Sequence, residues 1–467
     1  MTCFINEDLI AKMLGEARFA SREQVAEIVE KAGRAGGIEP AEAAVLLQAE
    51  DPEIVAGICR VAGMVKEKIY GRRLVFFAPL YISDHCVNNC RYCGYRRDNR
   101  FERRLLNREE IIEEVKIILS AGHKRVALEC GEDPARCPID YVLAAMETIY
   151  SARERNGSIR RINVNIAATT VENYQRLKDA GIGTYVLFQE TYHRPTYARM
   201  HPAGPKSGYE WHLSAMNRAV AGGIDDIGLG VLFGLHDFKF EVLSLLLHAR
   251  YLEESAGVGP HTISVPRLRP APGVDLSQFA YLVDDGDFKK LVAILRLAVP
   301  YTGLIISTRE RPSLRGELIF LGVSQISAGS STGVGGYKNR AKAGTFAGNG
   351  EANTQFSVKD RRTLDEVVGD VCRAGYLPSF CTACYRQGRT GERFMAMARS
   401  GMIQDLCTPN ALLTLQEFLL DYASAKTAAA GERIIESHLA LIDDPPLRRA
   451  VEGKLAEIKQ GGRDVYF

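Results

Sequence analysis

The chain has 467 residues, of which 46% are hydrophobic and 25% are charged. This composition is typical of a globular protein with a large core, and it excludes a disordered or collagen-like chain. The 59 lysines and arginines nearly balance the 57 aspartates and glutamates, so the net charge is only +2 and favours neither nucleic acid nor an anionic membrane as a partner. No apolar run approaches the ~18 residues of a membrane span, and the N-terminus lacks a signal-peptide layout. We therefore expect a cytoplasmic protein.

Residues 1–73 are predicted to form a helical N-terminal extension. Ile54, Ile58 and Val61 recur at helical spacing, and residues 41–47 carry a second apolar band. No strand pattern is visible in this part of the sequence.

Between residues 74 and 331, short apolar runs alternate with amphipathic segments. Such alternation is typical of a parallel sheet that is buried on both faces by helices. A count of eight runs predicts an α/β fold, a (β/α)₈ TIM-type barrel. An open doubly wound sheet also alternates strands with helices and stays an alternative. The runs are 74–82, 125–130, 161–166, 184–189, 226–233, 261–268, 303–310 and 324–331.

Residues 332–467 are predicted to form a helical C-terminal domain. Helical patterns occur near 363–375, 409–424 and 430–441. Three cysteines lie among these segments, so we expect this domain to bind a metal or an iron–sulfur cluster.

The chain contains eleven cysteines, an odd number, in a sequence without an export signal. A disulfide framework is therefore not expected. Six of the cysteines fall into two tight groups, and clustered thiolates in a reducing compartment favour soft metals or iron–sulfur clusters.

The first group consists of Cys86, Cys90 and Cys93, spaced C-x₃-C-x₂-C directly after the first predicted strand. In a barrel, active sites are built from the loops at this carboxyl end of the strands. Three thiolates hold three irons of a cubane cluster and leave the fourth iron open to a ligand. Zinc is the alternative, but a structural zinc needs a fourth ligand, and His85 is poorly placed beside Cys86.

The second group consists of Cys381, Cys384 and Cys407, again three thiols. A second cluster with an open iron fits this set, and so does a zinc ion with a distant fourth ligand. Cys372 is near in sequence, but its surroundings are typical of a residue on a helix face.

The first spacing, with the aromatic Tyr92 before the last cysteine, resembles the radical S-adenosylmethionine (SAM) superfamily. The resemblance implies that SAM binds the open iron of a [4Fe–4S] cluster and is cleaved to a 5′-deoxyadenosyl radical. It also implies that Gly131 and Glu132, at the end of the second strand, contact the amino group of SAM. Glu190, in the polar loop after the fourth strand, is a further predicted SAM ligand.

The motifs QETY (189–192), STRE (307–310) and CTACYRQGRTGERF (381–394) resemble the radical SAM tyrosine lyases, which include maturases of di-iron hydrogenases. This implies cleavage of the Cα–Cβ bond of L-tyrosine to p-cresol and dehydroglycine, with the dehydroglycine converted to CO and cyanide. It implies an auxiliary iron–sulfur cluster with an extra iron held by a free cysteine. An electron donor and other hydrogenase maturation proteins are the implied partners.

His261 opens the sixth strand and therefore lies toward the end of the barrel opposite the SAM loop. The resemblance implies that it is a ligand of the extra iron. The two metal sites would then lie at opposite ends, with the barrel interior as a passage between them. The alternative is a histidine that hydrogen-bonds the backbone at a strand start.

A tyrosine carboxylate requires a cation. Arg309 and Arg311, after the seventh strand, are predicted to form a bidentate clamp. Arg267 and Arg269, after the sixth strand, are the competing pair.

Two other functions stay open. A thiazole-pathway tyrosine lyase (2-iminoacetate synthase) would share the barrel motifs and lack the C-terminal cysteine triplet. A non-catalytic iron–sulfur scaffold or carrier would need the cysteines without the SAM-binding carboxylates.

Overall fold

The computed structural model of the protein describes residues 4–343 and 353–467. Four helices precede the barrel, as the sequence predicts for the N-terminal extension. The last of them buries Ile58, Ala62 and Val65 completely, and the hydroxyl of Tyr70 at its end donates a 2.5 Å hydrogen bond to the carbonyl of Tyr301. These contacts fix the extension to the barrel. The helices are α1 (Glu7–Ala17), α2 (Arg22–Gly33), α3 (Pro40–Leu47) and α4 (Pro52–Tyr70).

Eight parallel strands close into a barrel, which confirms the predicted fold. Each strand pairs with the next, and the first and eighth pair with Val75 opposite Gln325. This closing pair excludes the open doubly wound sheet, whose outer strands stay apart. The strands are β1 (Arg73–Ser83), β2 (Arg125–Cys130), β3 (Arg161–Asn165), β4 (Tyr185–Glu190), β5 (Ile227–Val231), β6 (Thr262–Ser264), β7 (Gly303–Ile306) and β8 (Gln325–Ser327).

Helices cover the outside of the barrel. The first of these begins with a capping box in which Asn107 and Glu110 each accept a 2.9 Å hydrogen bond from the other's backbone N–H. A short hairpin joins Arg153–Glu154 to Gly157–Ser158 before β3. The helices are α5 (Arg108–Ser120), α6 (Ile139–Ser151), α7 (Val171–Asp179), α8 (Arg194–Met200), α9 (Tyr209–Leu213), α10 (Ala215–Ala221), α11 (Phe238–Ala256), α12 (Asp285–Ala298), α13 (Pro312–Leu321) and α14 (Gly336–Ala343).

The C-terminal region adds six helices and one strand, β9 (Leu377–Ser379). This strand pairs in parallel with the start of β1, with Arg73 opposite Leu377. Three residues that include a proline are too few to show a strand period, so the sequence gives no sign of it. Because Cys381 follows β9 at once, the pairing brings the second cysteine group under the barrel. The helices are α15 (Leu364–Arg373), α16 (Ala383–Arg386), α17 (Gly391–Ser400), α18 (Ile403–Asp421), α19 (Ala425–Ala440) and α20 (Pro445–Lys459).

Throughout residues 4–343 and 353–467, every helix is too short or too polar to traverse a bilayer.

Candidate active site

The first cysteine loop forms one wall of a cavity of about 130 Å³ at the carboxyl end of the barrel strands. Cys86, Cys90 and Cys93 all line this cavity. The loop is held by backbone hydrogen bonds, among them one of 2.8 Å from the N–H of Val87 to the carbonyl of Glu132. The structure therefore brings together the three thiols that the spacing predicts.

The chemistry of these thiols suits a cationic partner. Burial raises the pKa of Cys86, of Cys90 and of Cys93, the last to about 12, and the neighbouring thiols raise the pKa values of Cys90 and Cys93 further. Three thiolates are stable this close together only if positive charge is added between them. The irons of a cluster would supply that charge, so the loop fits the predicted [4Fe–4S] group.

The end of β2 forms a second wall of the cavity. A Cβ on Gly131 would lie 2.3 Å from the carbonyl oxygen of His85, so only glycine permits this approach to the cysteine loop. The amide of Asn88 donates a 2.5 Å hydrogen bond to the Glu132 carboxylate, whose pKa is raised by burial. Gly131 and Glu132 thus share the cavity with the cysteines.

Glu190 and Tyr92 also line this cavity. The Glu190 carboxylate lies 2.9 Å from the ammonium of Lys206. Burial by itself would lower the pKa of Lys206, but the carboxylate and the thiol of Cys90 raise it. The Tyr92 hydroxyl is hydrogen-bonded to the His201 ring at 2.8 Å. Lys206 is not among the residues predicted from the sequence, although it lies in the polar loop that follows the fourth strand.

Of the four arginines considered for the substrate carboxylate, Arg309 lines the cavity. Its guanidinium lies 3.2 Å from the ring centroid of Phe356. The structure does not bring Arg311 to this place: its side chain is 54% exposed and is paired with Asp285. The predicted two-arginine clamp is therefore not formed. The competing pair, Arg267 and Arg269, binds Glu310.

A second cavity of about 100 Å³ lies inside the barrel, below the first. The two cavities share wall residues, among them Glu129, Asn165 and Arg309. Glu129 and Asn165 are not among the site residues predicted from the sequence. Both lie in predicted strands. Because alternate side chains of a strand point to the same face, this alternation could have identified them as residues of the barrel interior.

A third cavity of about 60 Å³ lies at the opposite end of the barrel. Its walls include Cys381, Cys384, Cys407 and His261, so the structure brings the second triplet together with the predicted histidine. The backbone N–H of His261 donates a 2.9 Å hydrogen bond to the carbonyl of Ile227. Its Nδ1 has no hydrogen-bond partner among the described residues, and the nearest carboxylate, that of Asp226, lies 3.7 Å away. This distance is too long for a hydrogen bond, so the nitrogen is available to a ligand.

Cys372 does not line this third cavity; it is buried in the helix α15. Burial raises its pKa to about 12. The structure therefore leaves the second group with three cysteines and a histidine.

The third cavity is strongly cationic. Arg73, Arg125, Arg161 and Arg389 line it. Burial lowers the pKa of Arg125 to about 10, and its guanidinium donates a 2.8 Å hydrogen bond to the carbonyl of Cys381. Arg161 lies 3.5 Å from the carboxylate of Asp226. The arginine charges favour thiolates and other anionic ligands, although burial keeps the pKa of Cys381 raised. The irons of a cluster would add the further positive charge that thiolates need here.

Alternate residues of single strands line the three cavities in turn. In β2, Arg125 lines the third cavity, Ala127 the second, and Glu129 both the second and the first. Four residues of strand span about 13 Å. The two cysteine sites thus lie at opposite ends of one barrel interior.

Comparison with known proteins agrees with this geometry. Residues 80–247 match the Radical SAM superfamily, and residues 264–377 match the Biotin and Thiamin Synthesis associated domain. The 2-iminoacetate synthase of Salmonella typhimurium is 30% identical over 78% of this chain and 92% of its own. The chain belongs to the radical SAM tyrosine lyases.

Two solved structures of HydG, a maturase of the [FeFe]-hydrogenase, are similar over nearly the whole chain. One is 55% identical with a TM-score of 0.96 and covers 99% of this chain and 100% of its own. The other, from Carboxydothermus hydrogenoformans, is 40% identical with a TM-score of 0.83 and covers 96% and 97%. A radical SAM lyase uses SAM and a [4Fe–4S] cluster, and the predicted cysteine loop lines the first cavity.

Proposed function

We propose that this enzyme cleaves the Cα–Cβ bond of L-tyrosine and supplies CO and cyanide for assembly of the di-iron hydrogenase active site. The observation that carries the proposal is the second cysteine triplet, which meets His261 in a cationic cavity at the end of the barrel opposite the SAM loop. The full-length similarity to HydG structures supports it.

In the first cavity, Cys86, Cys90 and Cys93 would hold the cluster. When bound, the cluster and SAM supply a 5′-deoxyadenosyl radical, which removes a hydrogen atom from the substrate. Gly131 provides space against the cysteine loop, and Glu132 and Glu190 offer acceptors for the amino group of SAM. Tyr92 closes the cavity on the side of His201.

Arg309 would bind the tyrosine carboxylate. Its guanidinium is already oriented by the Phe356 ring, so little freedom is lost when a carboxylate binds. Most of the surface of the second cavity below it is apolar, although polar side chains also line it, and an apolar surface excludes water and protects a radical from side reactions.

In the third cavity, Cys381, Cys384 and Cys407 would hold an auxiliary iron–sulfur cluster. This group would supply the iron site at which dehydroglycine yields CO and cyanide. His261 offers its free Nδ1 to the extra iron, which a free cysteine would also bind. The buried arginines offset the charge of the thiolates and of cyanide. The second cavity would be the route by which the dehydroglycine fragment passes between the two sites.

Two functions compete with this proposal. A 2-iminoacetate synthase would release the fragment without using the second triplet, and the relative from Salmonella typhimurium favours it as the second candidate. A scaffold or carrier for iron–sulfur clusters would perform no cleavage, and the carboxylates in the first cavity argue against it.

The test is anaerobic incubation of the reconstituted protein with SAM, L-tyrosine and a low-potential reductant that replaces the electron donor. We expect 5′-deoxyadenosine, p-cresol, CO and cyanide. Formation of p-cresol without CO or cyanide would favour the 2-iminoacetate synthase. Absence of both p-cresol and 5′-deoxyadenosine would favour the carrier. Transfer of the product to hydrogenase depends on the other maturation proteins and is assayed separately.

A further inference from the structure

Glu129 is a half-buried carboxyl group at the boundary between the first and second cavities. It lines both of them, whereas Glu132 and Glu190 line the first alone. The amide of Asn165, its partner in register on the neighbouring strand, hydrogen-bonds the carboxylate. None of the cationic side chains in the described part of the chain is ion-paired with it. Glu129 is therefore a carboxyl group at this boundary with no cationic partner among the described residues.

The other two carboxylates of the first cavity already have partners. Glu190 lies 2.9 Å from the ammonium of Lys206, and Glu132 accepts a 2.5 Å hydrogen bond from the Asn88 amide. Leaving a half-buried carboxylate without a cation is costly, because the interior solvates charge poorly. Glu129 is thus the carboxylate of this cavity that most needs a cationic ligand.

Arg309 presents the opposite charge at the same boundary. Its half-buried guanidinium is stacked on Phe356, and it forms no ion pair with Glu129 within the described residues. A guanidinium and a carboxyl group that line one cavity without pairing with each other form a receptor for a zwitterion. A free α-amino acid carries these two charges on adjacent groups.

We propose that Glu129 binds the α-ammonium group of the amino-acid substrate, while Arg309 binds its carboxylate. This inference rests on the proposed function and adds the residue that selects for an amino acid. It also limits the orientation of the substrate, because the aromatic side chain must then lie among the remaining wall residues, which include Phe188 and Phe356 in both cavities.

The electrostatics of Glu129 are consistent with this assignment. Burial raises its pKa to about 8, while Asn165 and Arg309 oppose the rise. An ammonium group in contact with the carboxylate would favour its charged form. Ligand binding and ionisation of Glu129 therefore reinforce each other.

The experiment compares two ligands that differ only in the amino group. The Kd values of L-tyrosine and of 3-(4-hydroxyphenyl)propanoate are measured by equilibrium dialysis with the reconstituted holoenzyme and SAM, without reductant. Loss of one charged hydrogen bond in a buried site costs about 10- to 100-fold in affinity. We expect Glu129→Gln to weaken tyrosine by this factor and to change the Kd of the propanoate by less than about threefold.

Two further variants and one further ligand complete the design. Glu129→Asp keeps the charge and should restore part of the preference for tyrosine. Glu114→Gln is the matched control, because Glu114 is buried but accepts its hydrogen bonds from the backbone of Tyr337 and Lys338 on the outside of the barrel. It should bind both ligands as the wild type does. The Kd of SAM should be the same in all variants.

The possible outcomes distinguish a failure of the ammonium site from a failure of the proposed function. Equal weakening of both ligands in Glu129→Gln, or weaker binding of SAM, would overturn the ammonium site. An unchanged preference of Glu129→Gln for tyrosine would also overturn the ammonium site, even if the wild type produces p-cresol. A wild type that neither binds tyrosine nor forms p-cresol would contradict the proposed function itself, and the inference with it.

Discussion

The ammonium of Lys206 lies 2.9 Å from the carboxylate of Glu190, and both side chains are largely buried. Glu190 has a φ of +69°, in the left-handed region that residues other than glycine seldom adopt. Backbone strain of this kind persists where surrounding contacts hold it and is concentrated at functional sites. The ion pair therefore fixes the direction of a carboxylate that we assign to SAM.

We expect Lys206→Met to weaken SAM binding. Removing one partner of a buried ion pair leaves an uncompensated charge and costs about 3–5 kcal/mol. The carboxylate would turn away or take up a proton, and SAM affinity should fall at least tenfold, or by about 1.4 kcal/mol, in equilibrium dialysis. Lys289→Met is the control, because its 2.9 Å pair with Glu317 lies at the surface. Unchanged SAM affinity in Lys206→Met would show that Glu190 does not need its partner.

Gly131 should tolerate no side chain. A Cβ there would meet the carbonyl of His85 at 2.3 Å, so Gly131→Ala must displace the cysteine loop. We expect a lower iron content per chain after reconstitution, together with a weaker visible absorption of the cluster. Gly15→Ala serves as the control, since no atom lies within 4 Å of its Cβ position and alanine favours a helix by about 1 kcal/mol. Normal iron content in Gly131→Ala would contradict the close approach.

Arg309 and Arg311 give a matched pair of substitutions. Arg309→Lys keeps a positive charge but loses the planar fork that binds a carboxylate with two hydrogen bonds. The Kd of tyrosine should rise about 10- to 100-fold. Arg311→Lys should leave it unchanged, because Arg311 is at the surface beside Asp285. A greater loss from Arg311→Lys than from Arg309→Lys would restore Arg311 as the substrate ligand.

Arg309 and Arg311 also illustrate which features can be predicted from the sequence and which cannot. Strand number and barrel closure follow from the period of the apolar runs, which is a local property. The contents of each cavity depend on which strand residues turn inward and on side-chain pairing across the barrel. Arg311 is near Arg309 in sequence and is therefore predicted in the site, yet it stands at the N-cap position of α13 and its side chain binds Asp285 instead.

The same limit applies to β9 and to the partner of Glu190. β9 is too short to show a period, and it is defined by its pairing with β1 across about 300 residues of chain. Lys206 is separated from Glu190 by α8 and a loop, so no spacing rule relates the two. The cysteine groups can be predicted because Cys86, Cys90 and Cys93 lie in one short segment, and Cys381 and Cys384 lie in another. Cys407 is the more distant member of the second group.

The division of work between the two ends of the barrel yields the last prediction. Cys381 and Cys384 line the third cavity and do not reach the first, which lies about 13 Å further along the strands. Replacing both with Ala should therefore preserve p-cresol formation to within a few-fold and abolish CO release. Gas-phase detection of CO, with p-cresol measured by chromatography in the same sample, checks this.

Cys372→Ala is the control for the cysteine pair. Cys372 is buried in α15 and does not line the third cavity, so this variant should release CO as the wild type does. If Cys372→Ala abolished CO, the auxiliary site would need a fourth thiol, and zinc would again compete as its occupant. If the variant with Ala in place of Cys381 and Cys384 formed no p-cresol, the two sites would not act separately. Cleavage and CO formation would then depend on one continuous structure through the barrel, and the passage we infer would be part of the lyase site itself.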